Sequence, residues 1–199
     1  VPEPLLPPQI ALQNPELVEV YLFQVLPELD RILVMIDSDG GENYQPLVIP
    51  LEGGFPEPLD PASFEGRRLH LIEADGRAGV AYFAAESREE PMIFGLRTDL
   101  ETGETVELGR SPYGAFPVAW SPDHSRVVLD DTYTAGDDVL YELDEAGGRR
   151  MLFGTPIDER EEGVEYPPSG FRGVHGAASG SGVLPGTTLL GDDAGGHEL

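Results

Sequence analysis

Few residues in this chain have the type and spacing that chemistry requires. Its four histidines, at positions 70, 124, 175 and 197, show no His-x-x-x-His spacing, and there is no cysteine. A thiolate nucleophile, a disulfide and a zinc–thiolate site are therefore all excluded, and neither a metal nor a cofactor is expected. Ser179 and Ser181, in 176-GAASGSG-182, both miss the Gly-x-Ser-x-Gly spacing of a nucleophile elbow, so this string reads as a loop. The string 37-DSDGGEN-43 resembles a calcium loop but lacks the oxygen ligand at its fifth position and the Glu at its twelfth, and a hairpin loop is the better reading. What remains is charge. Arg110, Arg149 and Arg150 have the chemistry to face a carboxylate, and two acidic clusters, 88-REE-90 and 159-EREE-162, fall between apolar runs.

The chain has 199 residues, enough for a substantial core, and a formal net charge of −25. All 12 of its basic residues are arginine. Such a chain repels phosphate backbones and anionic lipid, so nucleic acid and membrane surfaces are not expected partners. The acidity serves solubility and could also attract cationic peptides. Self-repulsion should weaken the compact state at low ionic strength, where the Debye length grows to about 30 Å at 0.01 M. The melting temperature should therefore rise between low and moderate NaCl, and a flat or falling trend in a thermal melt would show the charges to be compensated locally. No apolar stretch approaches the roughly 18 residues of a membrane span. The N-terminus, VPEPLLPPQIALQNPELVEV, lacks both the basic region of a signal peptide and an initiating Met. A cytoplasmic location is expected, for a processed chain or a piece of a longer one.

The elements that must position these charges are strands. Twenty-five Gly and 19 Pro punctuate the chain, leaving little room for long helices. The apolar runs 32-ILVMI-36, 80-VAYFAA-85, 127-VVL-129 and 139-VLYEL-143 are short and rich in β-branched and aromatic residues. The first is apolar on both faces, as suits a strand in a sheet covered on both sides. In the last, Val139, Tyr141 and Leu143 share one face and Glu142 lies on the other.

These strands repeat. When 120-WSPDHSRVVL-129 is set under 25-VLPELDRILV-34, Pro122 falls on Pro27, Asp123 on Glu28 and Arg126 on Arg31; a third copy is 74-ADGRAGVAY-82. A second marker recurs in phase, in 52-EGGFPEPL-59, 101-ETGETVEL-108, 144-DEAGGRRML-152 and 192-DDAGGHEL-199. Two markers in phase point to a repeat of about 45–50 residues. In the Ser-Pro-Asp-His turn, Pro122 presets φ, Ser121 and Asp123 can bond nearby N–H groups, and His124 tolerates a positive φ. One strand leads to Trp120, two follow the turn, and a fourth follows the turn at Gly147 and Gly148. Four antiparallel strands at this spacing make a propeller blade. Trp120 is expected in the blade core, where full burial would contribute at most ~4–6 kcal/mol.

The order Ser-Pro-Asp-x-x-Arg, strand, loop, strand, acidic-x-Gly-Gly resembles the blades of TolB-type proteins and of the prolyl oligopeptidase family of serine peptidases. The segment 39-DGGENYQPLVIPLEGGFPEPL-59, through Gly41, Glu42, Asn43, Tyr44 and Gln45, is similar to the early blades of acylaminoacyl-peptidase-like members. The likeness is good over residues 26–155 and frays beyond. It implies an all-β propeller segment of about four four-stranded antiparallel blades, near 26–60, 66–110, 117–154 and a partial, degenerate 170–199, after a lead-in over 1–25. It also implies a parent enzyme in which the propeller gates access of short peptides to a C-terminal α/β-hydrolase domain with a Ser-Asp-His triad. None of the catalytic half is expected here. Some relatives bind a peptide's α-ammonium through paired propeller glutamates, which makes Arg88, Glu89, Glu90, Glu161 and Glu162 substrate-contact candidates, with solvated loops the plainer reading. Trp120, Pro122, Asp123, Gly147 and Gly148 are structural markers. An open ring would leave sheet edges that invite self-association. The alternative is a stand-alone propeller that binds a protein or peptide partner.

Overall fold

The computed structural model describes residues 19–37, 40–134, 136–166, 169, 171–176, 183–187 and 195–196. Its elements are almost all strands. The first sheet holds β1 (Glu19–Leu26), β2 (Arg31–Asp37), β3 (Gln45–Pro50) and β4 (Glu57–Pro58) in that order. A four-residue helix, α1 (Pro61–Phe64), follows, capped by the Asp60 carboxylate on the Ser63 N–H at 3.2 Å. The second sheet holds β5 (Arg67–Asp75), β6 (Val80–Ser87), β7 (Ile93–Asp99) and β8 (Thr105–Ser111). The third holds β9 (Phe116–Trp120), β10 (Arg126–Thr134), β11 (Asp137–Asp144) and β12 (Arg149–Phe153). The fourth has three strands among the described residues: β13 (Phe171–Gly176), β14 (Val183–Thr187) and β15 (Gly195–Gly196). Strands neighbouring in sequence also neighbour in space, and each sheet is an antiparallel meander, the form of a propeller blade. The chain is an all-β propeller segment whose last blade is incomplete among the described residues.

The chain divides into two compact units. One runs to Pro91 and takes in Leu96–Glu107; the other comprises Met92–Gly95 and the chain from Leu108 onward. In the first unit, β2 is buried on both faces. Ile32, Val34 and Ile36 pack with Ile49 on one side, while Leu33 and Met35 are equally buried on the other. The both-faces-apolar run at 32–36 thus sits in a strand covered on both sides. In the second unit, Ala119, Val128 and Leu140 form one face of the third blade, with Leu152 and Phe153 packed against them.

The acidic turn positions have a physical role. Asp123 Oδ1 accepts from Ser121 Oγ at 2.6 Å, from Ser125 Oγ at 2.7 Å and from Ser125 N at 3.1 Å. These bonds hold its carboxyl far below the usual carboxylate range. His124 takes φ 57°, and its N–H closes the turn on the Ser121 carbonyl at 2.8 Å. At the aligned position of the second blade, Asp75 Oδ1 accepts from the N–H groups of Arg77 and Ala78. Glu28 differs. Its turn is a 3-10 segment (Pro27–Leu29) with Asp30 left-handed at φ 50°, and its carboxylate instead pairs with Arg77 at 3.3 Å. The Gly147 turn works similarly to that of Asp123: Gly147 has φ 78°, and Asp144 Oδ1 accepts from Gly148 N at 2.7 Å.

Trp120 corrects one expectation. It is half-buried rather than in the core, and its ring stacks on His124 with centroids 6.3 Å apart. It ends β9, paired with Val127, while its neighbour Ala119 is the residue that enters the apolar cluster. A residue at the mouth of a turn covers the turn, so the full burial gain is not realised.

Candidate functional site

The third blade carries acidic residues where a strand core is normally apolar. Along β10, the alternation places Leu129, Asp131 and Tyr133 on one face, and Val128, Asp130 and Thr132 on the other. Pairing of Leu129 with Tyr141 and of Asp131 with Val139 puts Tyr141 on the same face as Asp131. Arg149 joins them from β12, where it pairs with Leu143. The end of β8 adds Ser111, the turn after it adds Tyr113, and a 3-10 turn (Ile157–Glu159) closes the far side. Together these residues line a cleft of about 550 Å³, all within the second unit. That volume lies in the range of small-ligand pockets.

The cleft's polar groups are interlocked. The Tyr133 hydroxyl accepts from Ile157 N at 3.2 Å and hydrogen-bonds the Tyr141 hydroxyl. Tyr113 meets the Tyr133 ring edge-on, with centroids 4.6 Å apart. Burial pushes the Tyr141 hydroxyl up to about 12. The Arg149 guanidinium carbon lies 3.5 Å from the Tyr141 ring centroid, and its Nη2 is 3.8 Å from Asp131 Oδ2. Burial raises the Asp131 carboxyl above its ordinary value, against the opposing pull of the Ser111 hydroxyl and of Arg149. On the opposite face of β10, burial together with Asp138 pushes the Asp130 carboxyl up to about 7.

Arg160 fixes the wall. It donates from Nη1 and Nη2 to the two Asp137 oxygens, both at 2.7 Å, and from Nε to the Thr155 carbonyl at 2.9 Å. The fork holds the Asp137 carboxyl below the usual range. The same guanidinium sits over Tyr133 at 5.2 Å and over Tyr166 at 5.5 Å. Arg160→Ala should loosen residues 155–166, and limited proteolysis should cut there several-fold faster than in wild type. Arg160→Lys should not restore resistance, because an ammonium cannot reproduce the two-pronged contact. Unchanged cleavage in both variants would show that this wall is held by other contacts.

The sequence candidates are placed as follows. Arg88, Glu89 and Glu90 are exposed in the turn after β6, in the first unit, where Ser87 Oγ accepts from the N–H groups of Glu89 and Glu90. Glu161 and Glu162 are exposed beside Arg160, and the cleft takes its acidic rim from Asp158 and Glu159 instead. Pro122 and Asp123 lie in the β9–β10 turn, and Gly147 and Gly148 in the β11–β12 turn, as described above. Of the three arginines, Arg110 and Arg149 line the cleft, whereas Arg150 pairs with Glu142 at 3.0 Å. Ser179 and Ser181 lie outside the described residues. Among the described residues, no group of three or more His, Cys, Asp or Glu side chains could hold a metal ion, and no helix is long and apolar enough to cross a membrane. Residues missed from sequence are Ser111, Tyr113, Asp131, Tyr133 and Tyr141. The signal for two of them, Asp131 and Tyr133, was a pair of aspartates and a tyrosine inside one strand, 130-DDTYT-134.

A second depression, of about 390 Å³, lies in the first unit between Arg31, Glu57 and Glu101. There Arg31 already donates to the Leu100 carbonyl at 2.7 Å, a contact that ties the blade hairpins together.

No protein-family model and no curated relative matches this sequence. Solved structures do resemble it. An oligogalacturonate lyase in complex with manganese aligns at 18% identity with a TM-score of 0.55, covering 83% of this chain and 44% of that one. A prolyl endopeptidase aligns at 13% identity with a TM-score of 0.53, covering 89% of this chain and 28% of that one. TolB from Acinetobacter baumannii aligns at 14% identity with a TM-score of 0.50, covering 79% of this chain and 35% of that one. The chain therefore spans less than half the length of each of these three proteins. Identities this low speak to fold and not to activity. With the meander blades described above, they establish that this chain has a β-propeller fold of the kind seen in TolB and prolyl endopeptidase.

Proposed function

We propose that this chain is the propeller part of a prolyl-oligopeptidase-type serine peptidase, and that it gates access of short peptides to a Ser-Asp-His hydrolase domain carried outside these residues. The blade order and the 41-GENYQ-45 segment support the family, and the cleft on the third blade carries the role. Three tyrosines give a peptide flat apolar contact at low entropic cost, while Asp131 and Arg110 offer polar anchors. The cleft binds rather than cuts. Its Ser111 hydroxyl is turned to a carboxylate, and among the described residues no histidine lines the cleft to take a proton from it.

A second reading, a stand-alone peptide-binding propeller, is favoured by one observation: all the described residues that line the cleft belong to a single unit. A fluorophosphonate probe applied to the full-length parent protein separates the two. The peptidase reading expects one serine labelled, outside this segment, with labelling lost when the parent is unfolded. An unlabelled parent moves the binding module to first place.

A further inference from the structure

Asp131 is only 7% exposed and lines the cleft, and among the described residues its Oδ1 has no hydrogen-bond partner. A buried acceptor left in this state calls for a donor. The cation paired with it does not serve: Arg149 Nη2 is 3.8 Å from the other oxygen, beyond hydrogen-bond length, and the Arg149 side chain is 51% exposed. Yet Arg149 shows what the site accepts. A planar guanidinium lies on the Tyr141 face with a carboxylate at its edge, the combination that recognises arginine better than lysine.

We infer that the cleft is a guanidinium-recognition site that takes an arginine side chain of an extended peptide, with the protein's own Arg149 as a loosely held internal occupant. The incoming guanidinium displaces Arg149 from the Tyr141 face and donates to Asp131 Oδ1. The inference rests on the peptide-binding reading above and names its ligand class. The net charge of −25 steers a basic peptide toward this surface, and the rim residues Asp158 and Glu159 extend the same sign at the mouth. A peptide carboxylate held by Arg110 and Arg149 is the opposite reading. It is disfavoured because the group left wanting a partner is an acceptor.

The test is fluorescence anisotropy with the full chain at 0.15 M NaCl, using a labelled, amidated Gly-Gly-Arg-Gly peptide and its citrulline and lysine counterparts. Citrulline keeps the shape and removes the charge. The arginine peptide should bind at least about tenfold more tightly than the citrulline peptide and more tightly than the lysine peptide. D131N should erase the arginine preference, Y141L should weaken arginine binding, and R149A should tighten it by about threefold or more. If D131N does not fold, Y141L and R149A decide the matter. Equal binding of arginine and citrulline peptides overturns guanidinium recognition while leaving peptide binding standing. No binding of any peptide overturns both the inference and the cleft as the peptide site, whatever the probe labels in the parent. Loss of binding in R149A makes Arg149 the ligand contact and overturns the assignment in favour of an anion site.

Discussion

Asp130→Asn should raise the melting temperature at pH 8 by about 5 °C or more, and should change it little at pH 4. The native carboxyl titrates at about 7, against an ordinary value of 3.8. A carboxyl whose pKa is higher folded than unfolded holds a proton more readily in the native state. Its contribution is therefore fully present below pH 3.8, falls as the pH rises, and is gone once the pH passes about 7. About three pKa units correspond to at most about 4 kcal/mol of stability lost across that window. The cause is burial first and the Asp138 charge on the next strand second. A neutral amide removes the charge that must be buried, and it can donate a hydrogen bond toward Asp138. Thermal melts of the two proteins at both pH values decide the point. A variant no more stable than wild type at pH 8, or equally stabilised at both, would show that Asp130 is solvated in the native state.

Gly95→Ala should cost about 3 kcal/mol and lower the melting temperature by roughly 6–12 °C. Gly95 sits in the middle of β7, where a methyl group would run into the Ala115 backbone carbonyl and press on Leu129. Here the glycine is required by close approach and not by its own dihedrals, so neither rotamer change nor side-chain rearrangement relieves the clash. Because Leu129 and Asp131 lie on one face of β10, the displacement should also reach the cleft, and the variant should bind peptides more weakly than its stability loss alone accounts for. Urea titration with peptide anisotropy on the same preparation measures both effects. Wild-type stability would mean that this strand has room to move.

How far this was legible from sequence follows from where each residue's role is decided. Turn chemistry is local, so the Ser-Pro-Asp-His string read directly into Asp123 capping its own turn, whereas the turn at Gly147 and Gly148 was read from its glycines and its Asp144 cap came only from the structure. The apolar run at 32–36 read directly into a strand buried on both faces. Glu28 aligned with Asp123 yet does something else, because a glutamate is one methylene too long for the same turn and reaches Arg77 instead. Trp120 was expected in the core from its place in the four-stranded repeat, whereas its position at a strand end decides its exposure. The cleft was not legible, because it gathers Ser111, Asp131, Tyr141 and Arg149 from strands or turns of four different hairpin arms. Which of three arginines reached it depended on strand register: Arg149 pairs with Leu143 and shares its face, while the adjacent Arg150 is turned to Glu142.

The central claim is that this propeller selects short peptides for a hydrolase domain joined to it. The measurement that tests it most directly is kcat/KM of the full-length parent protein against substrates of graded length, from tetrapeptides to a folded domain, each carrying the same cleavable bond. The account predicts rapid cleavage of the short peptides, a steep fall with length and no cleavage of the folded domain. Equal rates across all lengths, or a parent with no hydrolytic activity on any of them, would contradict it.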